Sequence, residues 1–350
     1  MNSRYPELEV RGNCRQMGRQ QGEAAREQIR AYAAINLERI SKSVPISRAE
    51  AVAVGRECIP YVERYSPHLL EELRGMEEGS GVALDDLMLM QTRNQMHTAG
   101  EAGCTSFAMA AGANRSGHAL VGQNWDNDPA LDPFTIVLTR RPTDAPATMT
   151  LTQAGLIAYM GLNDRGIGIC MNTLPAPGRR AGVPHYFVLR CIFETDGIDA
   201  AAAAVRRAER AIPNNLILAT PEGPADFEIT IDSLHILRDD RRLVHTNHCL
   251  HQDLQPINDL FPELIQSRPR KARIERAFAE EDRAVSLESI KRVLRDHEDY
   301  PLSICRHAND HPTNGYWVSV FSVIIEADSG RMHVSRGNPC TAPYETYQLN

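Results

Sequence analysis

The sequence predicts an α+β layered domain, and three observations carry that expectation. The first hundred residues have helical hydrophobic spacing. The texture changes abruptly to short strands at Cys104. From there the chain runs through strands, then helices, then strands again, rather than alternating as βαβ units. No internal repeat or low-complexity linker divides it, so residues 1–350 read as one domain, with a helical segment 1–103 packed on a segment 104–350.

The elements follow in order. Residues 16–42 are rich in Ala, Glu, Gln and Arg, with Ile29, Ala33, Leu37 and Ile40 at helical spacing, and the run stops near Pro45. Ser47 followed by Glu50 is a capping-box pattern that opens a helix over 48–65. Pro67 suits the first position of a helix that ends at Gly79-Ser80-Gly81, and Asp85-Asp86 opens another through Asn94. Residues 98–103 are small and show no periodicity. Strands are expected at 105–111, 118–124, 134–140, 147–152, 157–162 and 166–172, separated by turn residues such as Asn114-Arg-Ser-Gly117. Helices are expected at 184–195 and 198–211, and strands at 215–220, 226–231 and 242–246. Helices at 272–281 and 287–296 precede a closing hairpin, 317–326 and 331–335, around Asp328-Ser-Gly330.

Composition excludes several classes of function. Hydrophobic residues make up 42% and charged residues 24%, with a net charge of −7. An acidic chain lacks the basic face that phosphate neutralisation needs, so no nucleic-acid partner is expected. No run approaches about 18 uncharged apolar residues, so no membrane span is expected either. The first residues lack an apolar signal region, and a cytoplasmic location is expected. The eight cysteines are scattered without a C-x-x-C pair, which argues against a disulfide framework and a zinc ribbon. Most should be small buried hydrophobes.

Cys104 stands apart through its context, Gly103-Cys104-Thr105-Ser106-Phe107. Taken alone, the dipeptide reads more simply as a buried thiol after a glycine turn. A cut between Gly103 and Cys104, however, would place a thiol and an α-amine on one residue. The reference pKa values, about 8.5 and about 7.7–8.0, let that amine take the thiol proton near neutral pH. Gly103, without a Cβ, tolerates the strained backbone that self-attack requires. Gly122-Gln123-Asn124-Trp125-Asp126 returns on the hairpin, so Asp126 is expected beside the new ammonium.

Gly-Cys-Thr followed by Gly-Gln-Asn-Trp-Asp resembles the acyl-coenzyme A:6-aminopenicillanate acyltransferase family of self-cleaving N-terminal-nucleophile (Ntn) enzymes, related more distantly to the bile-salt and penicillin V amidases. The resemblance continues at Gly161-Leu-Asn-Asp-Arg-Gly-Ile-Gly168, Asn172-Thr173, His245-Thr-Asn-His248 and the Arg-rich 267–276. It implies a four-layer αββα sandwich. It implies Cys104 as nucleophile, Asp126 steering its amine and Asn247 as a side-chain oxyanion donor. It places a backbone donor at a position like Asn172, and a thiol-facing arginine at Arg270, with Arg268 and Arg273 as alternatives. Gln123 stands where the amidase relatives carry an arginine, which puts the chain nearer the acyltransferase branch. The implied activity is acyl transfer from, or hydrolysis of, a small-molecule acyl amide or acyl thioester through an acyl-Cys104 intermediate. No cofactor is called for, and acyl-coenzyme A enters only as a co-substrate. The implied assembly is a heterodimer of the two fragments, alone or as a homo-oligomer of such pairs.

Three other readings stay open. A strict hydrolase would use the same machinery. A metal-dependent hydrolase would use His245, His248 and His251, three apart in the chain, with His307 and His311; yet no H-E-x-x-H is present and no metal is expected. An uncleaved binding protein on the same scaffold is the third. Tyr159, Tyr186, Phe187, Phe134 and Trp317 either line an acyl pocket or belong to the core.

Overall fold

In a computed structural model of the chain, residues 3–42, 44–96, 103–261, 266–281, 285–312 and 315–350 are described. The small stretch 98–102 read from the sequence lies outside them. The chain opens with a strand, β1 (Glu7–Gly12), followed by helices α1 (Cys14–Ala24), α2 (Arg26–Ser41), α3 (Arg48–Tyr65), α4 (Pro67–Ser80) and α5 (Leu84–Thr92). Strands β2 (Gly103–Met109), β3 (Leu120–Asn127), β4 (Thr135–Pro142), β5 (Thr148–Gln153), β6 (Met160–Asn163) and β7 (Gly168–Asn172) come next. Then follow α6 (His185–Ile192), α7 (Ile198–Arg207), β8 (Asn214–Thr220), β9 (Gly223–Ile229), β10 (Leu234–Arg238) and β11 (Arg242–His245). Helices α8 (Ser267–Glu280) and α9 (Leu287–Leu294) and strands β12 (Val318–Glu326), β13 (Arg331–Arg336) and β14 (Tyr344–Gln348) complete the order.

The strands form two sheets, β1-β4-β5-β6-β7-β8-β9-β10 and β11-β2-β3-β12-β13-β14. They pack face to face, with Val121 and Val323 of the smaller sheet in one core with Leu151, Ile169 and Ile217 of the larger. On the outer face of the smaller sheet, Phe107, Met109 and Ile324 meet Ile274 and Phe278 of α8 and Ile290 and Leu294 of α9. The N-terminal helices, α6 and α7 cover the larger sheet. The result is the expected four-layer αββα sandwich, buried enough in its middle to support polar groups held far from water.

The helical layer is packed unusually close. A Cβ on Gly18 would lie 1.8 Å from Glu72 O, and one on Gly75 2.0 Å from Arg15 O. Glycines on both helices therefore let the backbones of α1 and α4 touch, which no larger residue permits. Beneath them the Arg140 guanidinium of β4 donates to Glu72 at 2.7 Å, both side chains fully buried, tying the layer to the sheet.

Several expectations need correcting. Residues 16–42 are two helices, because the chain breaks at Ala25 (φ −107°, ψ 23°). Asn13 caps α1 with a capping box through Gln16, and Ser47 and Glu50 form the one expected for α3. The N-terminal segment is not wholly helical: β1 pairs in parallel with β4 at the edge of the larger sheet. Strands β10 and β14 were not expected either, and the strand read at 157–162 starts only at Met160, after a turn at Gly155 (φ 97°). Helix α8 begins at Ser267 rather than 272, which brings Arg270 onto a rigid element.

Candidate active site

Cys104 opens β2 directly after Gly103, and β3 returns beside it with Gly103 opposite Asp126 and Cys104 opposite Trp125. Gly103 has no room for a side chain: a Cβ there would sit 3.0 Å from Asp126 Oδ2 and 3.2 Å from Arg306 Nη1. A carboxylate and a guanidinium thus crowd the one backbone step that precedes the cysteine.

Two further elements close on the same point. The Cys104 backbone N–H donates to Asn247 Oδ1 at 3.0 Å. Arg270 donates to Cys104 O at 2.5 Å, to Thr105 Oγ1 at 2.8 Å and to Asn247 Oδ1 at 2.8 Å. With two donors on its oxygen, the Asn247 amide is fixed in orientation, and its Nδ2 turns towards Thr173 O at 3.1 Å. Of the three candidate arginines, Arg270 is the one that reaches Cys104. Arg273 pairs with Asp296 at 2.5 Å and Arg268 is exposed.

The electrostatics follow from burial. Asp126 Oδ1 accepts from Ser319 Oγ at 2.7 Å. Burial pushes its carboxyl up to about 6, while the charges of Arg270 and Arg306 pull it back. Burial also pushes the Cys104 thiol up to about 12; the Asp126 charge adds to this and Arg270 opposes it. Within the continuous chain, then, Cys104 is a neutral thiol.

The other predicted residues occupy supporting places. Gln123 spans the two sheets, donating to Met171 O at 2.8 Å and accepting from Met171 N at 3.0 Å. Asn172 donates to Ser106 Oγ at 2.6 Å and Asn215 Oδ1 at 2.8 Å. The three histidines of the metal reading have separate partners. His245 pairs with Glu228 at 2.8 Å, His248 with Ser267 at 2.7 Å, and His251 with Asp253 at 3.7 Å.

Residues the sequence did not disclose complete the site. Glu228 accepts from Leu250 N at 2.6 Å and His251 N at 2.9 Å as well as from His245, fixing the segment that carries Asn247. Ser267 accepts from Asn247 N at 2.8 Å. Ser319 binds Asp126 and also accepts from Arg306 N at 3.0 Å. The polar Ser319 within the apolar run 317–326 was the available signal; Arg306 offered none.

A cavity of about 400 Å³ has Cys104 and Trp125 in its wall, together with Tyr159, Asn172, Thr173 and Trp317. Tyr186, Phe187 and Phe134 lie outside that wall; the first two are buried in the core. Arg93, in the wall, bonds the hydroxyls of Tyr186 and Tyr32, and among the described residues no carboxylate pairs with it.

Comparison with known proteins decides the family. Residues 113–340 match the model of the acyl-coenzyme A:6-aminopenicillanic acid acyl-transferase family. The chain belongs to this family. It is thereby an acyl-transfer or amide-cleaving enzyme. The acyl-coenzyme A:6-aminopenicillanic-acid-acyltransferase 40 kDa form of Emericella nidulans is 26% identical over 345 residues, 97% of this chain and 94% of that protein. Among solved structures, a mutant conjugated bile acid hydrolase from Clostridium perfringens aligns with 12% identity and a TM-score of 0.47, covering 71% of this chain and 97% of that one. Penicillin V acylase from Agrobacterium tumefaciens aligns with 10% identity and a TM-score of 0.45, covering 70% and 86%. No helix among the described residues is long and apolar enough to cross a membrane.

Proposed function

We propose that the chain is a self-activating Ntn acyltransferase or amidase whose nucleophile is Cys104, exposed by cleavage of its own Gly103–Cys104 bond. The observation that carries this reading is the convergence of Asn247, Arg270 and Asp126 on the backbone of Gly103 and Cys104 rather than on a side chain alone.

In the first step the Cys104 thiol adds to the Gly103 carbonyl. The peptide C–N bond breaks and the nitrogen takes the thiol proton, leaving a thioester and a free α-amine. Water then opens the thioester, giving the Gly103 carboxylate and restoring the thiol. In turnover the α-amine takes the thiol proton, the thiolate attacks the acyl carbonyl, and the ammonium returns the proton to the leaving amine or thiol. The acyl-Cys104 thioester passes to water or to an amine acceptor.

The surroundings suit these tasks. A thiol held near 12 needs a base, and no histidine among the described residues hydrogen-bonds it, so a nearby α-amine is the natural candidate. Asn247 Oδ1 already accepts from the nitrogen that would become that amine. Asn247 Nδ2 has a second hydrogen beyond the one given to Thr173 O, available to a developing oxyanion. Asp126 supplies the anionic charge that holds an ammonium. Arg93, in the cavity wall with no carboxylate partner among the described residues, suits a substrate bearing an anionic group. The chemistry asks for no cofactor, acyl-coenzyme A serving as substrate.

Denaturing electrophoresis and intact mass test this. The 39.0 kDa chain should appear as fragments of roughly 11 and 28 kDa. Cys104→Ala should remain one band and be inactive. An uncut, fully active wild type would sink the proposal.

A further inference from the structure

His297, Cys305 and His307 share one stretch of the chain and Cys340 lies well beyond it, and their spacing carries no zinc pattern. Folded, their ligand atoms all fall within 4.8 Å of one another. Three of them surround a single nitrogen. His307 Nε2 lies 3.1 Å from His297 Nε2, 3.5 Å from Cys340 Sγ and 3.7 Å from Cys305 Sγ. An imidazole nitrogen donates or accepts one hydrogen bond, so three such neighbours exceed what hydrogen bonding can satisfy. A tetrahedron with Zn–N bonds of about 2.0–2.1 Å and Zn–S bonds of about 2.3 Å has edges of about 3.3–3.8 Å, close to these separations.

We infer that His297, Cys305, His307 and Cys340 bind one four-coordinate zinc ion, which fastens the segment between α9 and β12 to the turn before β14. The donor set, two thiolates and two neutral imidazoles, is one that zinc takes in closed structural sites. Binding balances as one Zn²⁺ entering and two thiol protons leaving to solvent, so the charge of the ion is neutralised by its own ligands. Outer support is present. Asn338 Nδ2 approaches Cys305 Sγ at 3.6 Å while donating to Arg306 O at 2.7 Å. Backbone bonds from Cys305 N to Asp296 O (3.0 Å) and from His307 N to Pro301 O (2.9 Å) hold two ligands in place. His297 is exposed, which leaves a path for the ion.

The site stands outside the substrate cavity but touches its machinery through one residue. Arg306, between the ligands Cys305 and His307, carries its guanidinium to the Gly103–Asp126 step and its backbone to Ser319. The ion would therefore act as a positioning device for Arg306, with no part in bond making. Among the described residues, the two other groupings of potential ligands, around Glu194 and Asp253, involve only three residues each and are engaged in ion pairs.

The test begins with tag-free, full-length protein purified without chelator. Elemental analysis should give one zinc per chain. Chelator-treated protein titrated with Co²⁺ should show the intense visible bands of tetrahedral cobalt and a thiolate charge-transfer band. His297→Ala, at an exposed position, and Cys340→Ser should each abolish that spectrum, and Asn338→Ala should weaken metal affinity about 10–100-fold. Zinc-free protein that takes up no cobalt, cobalt bound without the thiolate band, or an intact mass revealing a Cys305–Cys340 disulfide in freshly purified protein would each overturn the inference. None of these readouts depends on cleavage at Cys104.

Discussion

Cys104 and Asn247, 143 residues apart, are joined by a 3.0 Å hydrogen bond from the backbone nitrogen of the first to the side-chain oxygen of the second. The bond makes Asn247 a sensor of the cysteine's main chain, while Arg270 grips the same oxygen from α8. One amide thus has its oxygen committed to the Cys104 main chain and its nitrogen to Thr173 O; under the proposed function its second amide hydrogen would face the developing oxyanion.

Asn247→Ala should lower kcat for acyl transfer by about 10²–10³, the usual cost of one oxyanion donor, with a smaller effect on KM. Steady-state kinetics on the cleaved variant checks this. An unchanged kcat would remove Asn247 from the chemistry.

Asp126 should cost the fold stability at neutral pH. Its carboxyl sits near 6 when folded, against about 3.9 when unfolded, so the folded state favours the protonated form. That preference is fully present below the unfolded value and is lost as pH rises through about 6. In the uncut Cys104→Ala background, Asp126→Asn should therefore be more stable by about 1–3 kcal/mol at pH 7.5. The gap should close as pH falls towards 4. Urea unfolding at the two pH values measures it; a gap independent of pH would contradict the assignment.

Arg93 should sort substrates by charge. Arg93→Leu should raise KM about 10–100-fold for acyl donors or acceptors bearing a carboxylate, and leave neutral ones nearly unchanged. Arg93→Lys should restore part of the preference. Equal losses across both substrate sets would assign Arg93 to packing alone.

How far the site could be read from the sequence depended on how local each contact is. The Gly103–Asp126 neighbourhood was legible because β2 and β3 follow one another in the chain and pair antiparallel. The choice among Arg268, Arg270 and Arg273 was not, since it depends on where α8 starts, and a helix rotates its side chains by about 100° per residue. Arg306 and Ser319 reach Asp126 from separate elements, and no spacing rule connects them. Strand β1 was missed because it is short and its residues pair with partners 130 positions later, Glu7 with Val137. The zinc ligands were invisible for the same reason, since three of the four come from one irregular segment and the fourth from another turn.

The pairing of β1 with β4 has one more consequence. Tyr5 N also donates to the Tyr347 hydroxyl at 2.8 Å, so the N-terminal segment is stitched to a sheet edge at one side and to the final strand at the other. A nick after Gly103 would leave that stitching intact, and the product would keep the shape of its precursor. Its thermodynamics would change in kind. Before the nick, folding is a property of one molecule and independent of dilution. Afterwards, complete unfolding is a dissociation, with a midpoint that shifts with protein concentration. Recovery from denaturant would then require two strangers to meet, so the working enzyme would be easier to lose than to remake.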